Sequence, residues 1–198
     1  PYISSVNTLN NEIEDPTNNI LEGDSFEVGQ YIYARDTDGT PGASGGEDGG
    51  VSGDFAFEAG SYFDAFASEP VYGIDVTIGT GTPDATIIYG KLYVFDAAAG
   101  DFVYVDETAE YSVTSADASS NANITLPLFT FPSLTAGSTY LVMVGCYSEF
   151  YYGTSGFSPD QTSFITYGGW GGTGNQYYTN GTPMVRMNFD PSLAVAEV

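Results

Sequence analysis

Apolar residues recur at every second position in short runs, and clusters of Gly, Pro, Asp, Asn and Ser separate the runs. The sharpest run is Tyr72, Ile74, Val76 and Ile78, alternating with Gly73, Asp75 and Thr77. That period of two predicts a strand with one face in a core. Ile87 to Phe95 is apolar at both parities apart from Lys91, which predicts a central strand. Phe102 to Val105 follows across Asp96-Ala-Ala-Ala-Gly100-Asp101, a hairpin loop by composition. Tyr140 to Tyr147 is the most apolar run, with Cys146 inside it as a small buried hydrophobe. Phe26–Ala34, Tyr111–Thr114, Ile124–Phe131, Phe164–Tyr167 and Met184–Phe189 continue the series. Phe55, Phe57, Tyr62 and Phe66 predict two short strands around Gly60, and the Ser/Asn/Ala stretch after Thr114 predicts a loop. No segment keeps apolar residues at i, i+3, i+4 and i+7 for long.

The pattern gives about nine to eleven strands with polar turns. The expected fold class is all-β, a two-sheet β-sandwich of jelly-roll type. Residues 1–24 read as an N-terminal arm or pairing strand, 25–190 as the sandwich domain, and 191–198 as a C-terminal linker. Residues 35–54, dominated by Gly, Asp, Ser and Thr, read as one long loop. At 198 residues the chain fits one domain that buries roughly 70 % of its unfolded surface. No run approaches the length of a membrane-spanning helix. The opening Pro1-Tyr-Ile-Ser-Ser lacks a basic region before an apolar stretch, as expected if a signal was removed or the segment was excised.

Charge narrows the chemistry. Twenty-six Asp and Glu stand against three Lys and Arg, a formal charge of −23, with no His and one Cys. A phosphate backbone would be repelled, so nucleic acid is not an expected partner, and neither is an anionic membrane surface. Without His there is no Ser-His-Asp or Cys-His arrangement, and with one Cys there is neither a disulfide nor a Cys/His zinc site. Carboxylate chemistry, hard-cation binding and aromatic recognition remain.

Asp36, Asp38, Glu47, Asp48 and Asp54 in the long loop are the candidate metal ligands. Asp36-Thr-Asp38-Gly39 resembles the opening of a calcium loop, where carboxylates two apart and a turn glycine converge on one ion. Glu47 falls at position twelve from Asp36, while Gly42 and Ser44 are poor ligands and no flanking helices are predicted. Ca2+ is therefore the candidate cofactor. A second acidic group, Asp96, Asp101, Asp106 and Glu107, brackets the hairpin and is a further cation candidate. Trp170, Tyr151, Tyr152, Tyr167 and Tyr177 form the candidate ligand-binding group, with Tyr147, Phe150 and Tyr178 near it in sequence. Such aromatics stack on the apolar faces of sugar rings, pack a core, or form a protein contact. Glu58, Glu110 and Glu149 lie closest to strand positions, where a glycosidase would need two facing carboxylates. Arg186 on the last strand is expected to neutralise a carboxylate on its own sheet.

Pro70-Val-Tyr-Gly-Ile-Asp-Val-Thr-Ile78, Lys91-Leu-Tyr-Val-Phe-Asp96, Leu134-Thr-Ala-Gly-Ser-Thr-Tyr-Leu-Val-Met-Val-Gly145 and Gly181-Thr-Pro-Met-Val-Arg-Met-Asn-Phe-Asp-Pro191 resemble β-sandwich regions of secreted Bacteroidota proteins. In those proteins the region precedes the C-terminal sorting domain of the type IX secretion system. The ending Asp190-Pro-Ser-Leu-Ala-Val-Ala-Glu-Val198 looks like the linker before that domain, which is itself lacking here. The resemblance covers roughly residues 54–198 and implies an extracellular or cell-surface location.

Three functions are expected, in order. The first is a non-catalytic extracellular structural or adhesive protein that acts through its surfaces, self-assembling into a surface layer or filament and stabilised by calcium. The second is a carbohydrate-binding module using Trp170 and nearby Tyr residues. The third is a small jelly-roll glycosidase. The expected partners are further copies of the chain or cell-surface glycans.

Overall fold

The computed structural model describes residues 27–28, 31–36, 56–158, 161–167 and 176–195. The arm, the long loop after Asp36 and the segment holding Trp170 lie outside them. Two antiparallel sheets account for most of the described chain. The first orders β1 (Glu27–Val28), β2 (Ile32–Ala34), β14 (Val185–Asn188), β4 (Gly73–Thr77) and β8 (Asn123–Pro127). The second orders β12 (Gln176–Tyr178), β11 (Ser163–Tyr167), β3 (Phe57–Asp64), β9 (Thr139–Cys146), β5 (Ile87–Asp96) and β6 (Asp101–Glu107), with β7 (Tyr111–Ser112) also paired to β5. A separate ribbon joins β10 (Thr154–Phe157) to β13 (Gly181–Pro183). The protein is an all-β sandwich, as its alternating pattern predicts. The chain changes sheets between β2 and β3, β3 and β4, β4 and β5, β7 and β8, and again between β8 and β9.

Strand alternation builds the core. Phe57, Ala59 and Phe63 of β3, Val142 and Val144 of β9, and Ile88 and Leu92 of β5 point at Ile74 and Val76 of β4, Leu126 of β8 and Met187 of β14. Burying each large side chain stabilises the fold by roughly 1.5–3 kcal/mol. Strand β5 lies between β9 and β6, the interior place its two-sided apolar run predicts.

Three local expectations are corrected. The run Phe57–Asp64 is one strand, not two, and it passes straight through Gly60. A Cβ at Gly60 would stand 1.8 Å from the Val142 carbonyl oxygen, so this glycine permits close strand approach instead of making a turn. The stretch after Thr114 contains a short helix α1 (Ser115–Ser120). Thr114 and Asp117 form a capping box there, each side chain accepting from the other's backbone N–H. The first strand is broken into β1 and β2. The stretch read as a linker begins with a 3-10 turn over Pro191–Val195.

On β4 the face that points away from the core is also buried. Asp75 accepts from Thr125 Oγ1 at 2.6 Å and from Asn188 Nδ2 at 3.0 Å. Gly73, Asp75 and Thr77 are therefore buried despite their polar parity, because hydrogen bonds satisfy the polar groups there.

Candidate functional site

Register places the site on the outer face of the second sheet. Directly opposed residues share a face, so Thr166, Glu58, Gly145 and Tyr89 form one row across β11, β3, β9 and β5. The next row on that face is Phe164, Gly60, Met143, Lys91 and Glu107. A third holds Tyr62, Leu141, Tyr93 and Tyr104. The β5–β6 register shifts at Leu92/Tyr93. That shift gives Val105 no partner of its own, so Tyr104 and Glu107, three apart, land on one face. Tyr93, Leu141, Met143 and Phe164 form a second apolar cluster on this face, separate from the inter-sheet core.

Glu58 is fully buried beside this cluster. Lys91 Nζ donates to its Oε1 at 2.8 Å, and the Tyr93 hydroxyl donates to Oε2 at 2.8 Å. The Tyr89 hydroxyl makes a longer contact with Oε1, at 3.4 Å. A buried carboxylate without such donors would be strongly destabilising. Burial, and then the Glu58 charge, push the Tyr89 and Tyr93 phenols far above their ordinary range. Both therefore stay protonated donors. Gly145 is required in this row, since a Cβ would lie 2.4 Å from Cε2 and Cζ of Tyr89. The Tyr89 ring lies flat on the strand there. Lys91 Nζ sits 4.9 Å from the centre of that ring.

Beside this network opens a cleft of about 270 Å³. Tyr89 and Lys91 come from β5, and Glu107 ends β6. The link Thr108-Ala109-Glu110 supplies one wall, while Phe129 after β8 and Tyr147 after β9 supply the others. Tyr147 and Phe129 are exposed, at 54 % and 58 %. The Tyr147 ring packs on Tyr89 at 5.1 Å with a 39° tilt, and its hydroxyl donates to Glu110 Oε1 at 2.9 Å. That hydrogen bond, followed by burial, raises the Tyr147 phenol. The cleft is slightly below the volume of drug-sized pockets, with room for one ring or one side chain. It offers aromatic surface, two carboxylate acceptors and an ammonium donor. In contrast, Glu58 is sealed beneath Lys91 and the tyrosines, and its role is to hold them.

Among the described residues, those singled out from sequence are dispersed. Asp36 is buried, and both its oxygens accept from Arg186, Oδ2 at 2.7 Å from Nε. A calcium ion there would have to displace a bidentate guanidinium. The expectation that Arg186 neutralises a carboxylate next to its sheet agrees with this pair. Asp38, Glu47, Asp48, Asp54 and Trp170 lie outside the described residues. The hairpin acids do not converge: Asp96 accepts from the Ala98 backbone N–H at 2.8 Å, and Asp106 from the Thr130 backbone N–H at 2.9 Å. Among the described residues no three metal-ligating side chains come together.

Tyr152 is a correction to the ligand-binding group. It packs in the core against Phe57 and Phe150, because Phe150-Tyr151-Tyr152 alternates in, out, in. Tyr151 is half-buried and donates to Glu149 Oε1 at 2.7 Å. Tyr167 and the exposed Tyr177 make an edge-on pair, centres 5.9 Å apart, at the β11–β12 edge.

Sequence reasoning marked Lys91 as the lone charge in an apolar strand and Glu58 as a strand carboxylate. A charge in such a run calls for a partner, but which partner depends on the order β3-β9-β5. Glu107, Phe129 and Tyr89 carried no sequence signal as one site. Among the described residues no helix is long and apolar enough to cross a membrane. No protein family, curated protein or solved structure matches the chain, so the reading of the site rests on its own geometry.

Proposed function

We propose that this chain is a non-catalytic jelly-roll module of a secreted protein, and that it works as an adhesive surface by holding a glycan unit in the cleft between β5, β6 and β9. The alternation of strands between the two sheets supports the jelly-roll reading, since β2, β14, β4 and β8 form one sheet and β3, β9, β5 and β6 the other. The resemblance to secreted Bacteroidota sandwiches supports the extracellular location. One observation carries the function. Exposed Tyr147 and Phe129 flank a cleft in which Lys91, Glu107 and Glu110 supply both donors and acceptors. A sugar ring has the complementary surface, apolar C–H faces for the rings and hydroxyls that both donate and accept. The burial of Glu58 speaks against a catalytic carboxylate pair, because water and substrate have no access to it.

The test is a screen of soluble oligosaccharides by calorimetry with wild type and Tyr147→Ala. At least one glycan should bind wild type, and the variant should bind it at least about tenfold more weakly, as expected for loss of a stacking ring. Failure of every glycan, or binding that ignores the substitution, sinks the reading.

Self-association is a second reading, favoured by the position of β6 as the last strand of its sheet among the described residues. Val103 and Tyr104 are exposed on it, at 38 % and 55 %, and an unpaired strand edge accepts a strand from another chain. With a charge of −23 per chain, assembly should need salt or calcium. Light scattering after size exclusion, in EDTA and then in millimolar calcium at high salt, separates the outcomes: growth into dimers or filaments supports it, and a monomer in both buffers removes it.

A further inference from the structure

All three cationic side chains of the chain are committed internally. Lys91 is paired with Glu58, and Arg186 with Asp36. Arg35 is buried, with its guanidinium carbon 4.6 Å from the centre of the Tyr62 ring and its Nε donating to the Tyr62 carbonyl. Every Lys and Arg is thereby used. Lys91 lines the cleft, but Glu58 offsets its charge, and neither Arg side chain lines the cleft with Glu107 and Glu110. Glu110 is exposed and shares Oε1 with the Tyr147 hydroxyl. Glu107 is half-buried opposite Lys91, whose ammonium is held by Glu58 at 2.8 Å. The cleft is negative in its own right, inside a chain of charge −23.

This sorts sugars by charge. A uronate or sulfate group brought to the cleft meets two like charges and the repulsion of the whole surface. An ammonium meets two carboxylates and the electron-rich faces of Tyr147 and Phe129, the combination that favours organic cations over aromatic walls. Resting on the glycan-binding reading, we propose that the preferred ligand of the cleft is a glycan containing protonated amino sugars, its ammonium placed between Glu107 and Glu110 and its ring against Tyr147.

The test compares the glucosamine disaccharide with its fully N-acetylated counterpart, which keeps the rings and removes the charge. Calorimetry at neutral pH should show the amine form bound at least about tenfold more tightly, the discrimination that one well-placed charge provides. The preference should shrink as salt rises. In Glu107→Gln/Glu110→Gln the ratio of the two affinities should fall towards one. In Tyr147→Ala, which leaves the charge unchanged, both forms should weaken. Equal or tighter binding of the acetylated form overturns the amino-sugar assignment while leaving a glycan site in place. A preference that survives the double Gln variant also overturns it, because the general field of the protein would then be its source. If neither disaccharide nor any other glycan binds, the functional reading fails with it.

Discussion

Replacing Lys91 with Met leaves Glu58 buried beside Leu141, Met143 and Phe164 without its ammonium partner, while the hydroxyls of Tyr93 and Tyr89 remain. Removing one member of a buried pair typically costs about 3–5 kcal/mol. The retained tyrosine donors lower the penalty, so Lys91→Met should lose about 2–3.5 kcal/mol at pH 7. Glu58→Gln is the asymmetric control. The Lys91 side chain is 24 % exposed and can turn its ammonium to water, so the loss should be about 1–2 kcal/mol. Urea denaturation of both variants and wild type, followed by circular dichroism at pH 7, reads these differences. A Lys91→Met penalty below about 1 kcal/mol, or one smaller than that of Glu58→Gln, would refute the sealed Glu58.

Gly145→Ala should destabilise the fold by about 1–3 kcal/mol and weaken glycan binding as well, because its Cβ takes the space of the Tyr89 ring and Tyr147 leans on that ring; wild-type affinity in a stable variant would show that Tyr89 does not shape the cleft. The fold should weaken in alkali. Burial pushes the Tyr33 phenol from 10.0 up to about 12, and Tyr89 and Tyr93 move further in the same direction. The unfolded chain releases these protons from about pH 10 while the native state retains them. The stabilisation is complete below pH 10 and is lost as pH climbs through the native-state values. Urea midpoints from pH 8 upward, read beside tyrosinate absorbance, should therefore fall only past about pH 10, with the absorbance rising on unfolding; titration of all tyrosines near pH 10 in the folded protein would contradict the burial.

Alternation and turn composition were enough to specify the all-β class and most strand positions, because a half-buried strand writes its period directly into the sequence. Tyr72–Ile78, Ile87–Phe95 and Tyr140–Tyr147 fall on β4, β5 and β9 within a residue or two. The errors arose where a local signal had two meanings. Gly60 reads as a turn in sequence but serves close strand approach in space, and the Thr114–Asp117 capping box hides in a stretch whose composition suggests a loop. Composition also fixed the charge excess, which requires the few cations to be shared among many carboxylates.

Which carboxylate each cation holds was decided only by tertiary structure. Glu58 and Lys91 are 33 residues apart, and Asp36 and Arg186 are 150 apart. The order β3-β9-β5 and the pairing of β14 with β2 bring them together. The cleft depends on a non-local feature too. The register shift between β5 and β6 turns Glu107 to the same face as Lys91 and Tyr104. Periodicity within a strand reports which side chains share a face. Register and strand order determine which of those faces meet, and they are set by contacts between distant segments that a linear pattern does not encode.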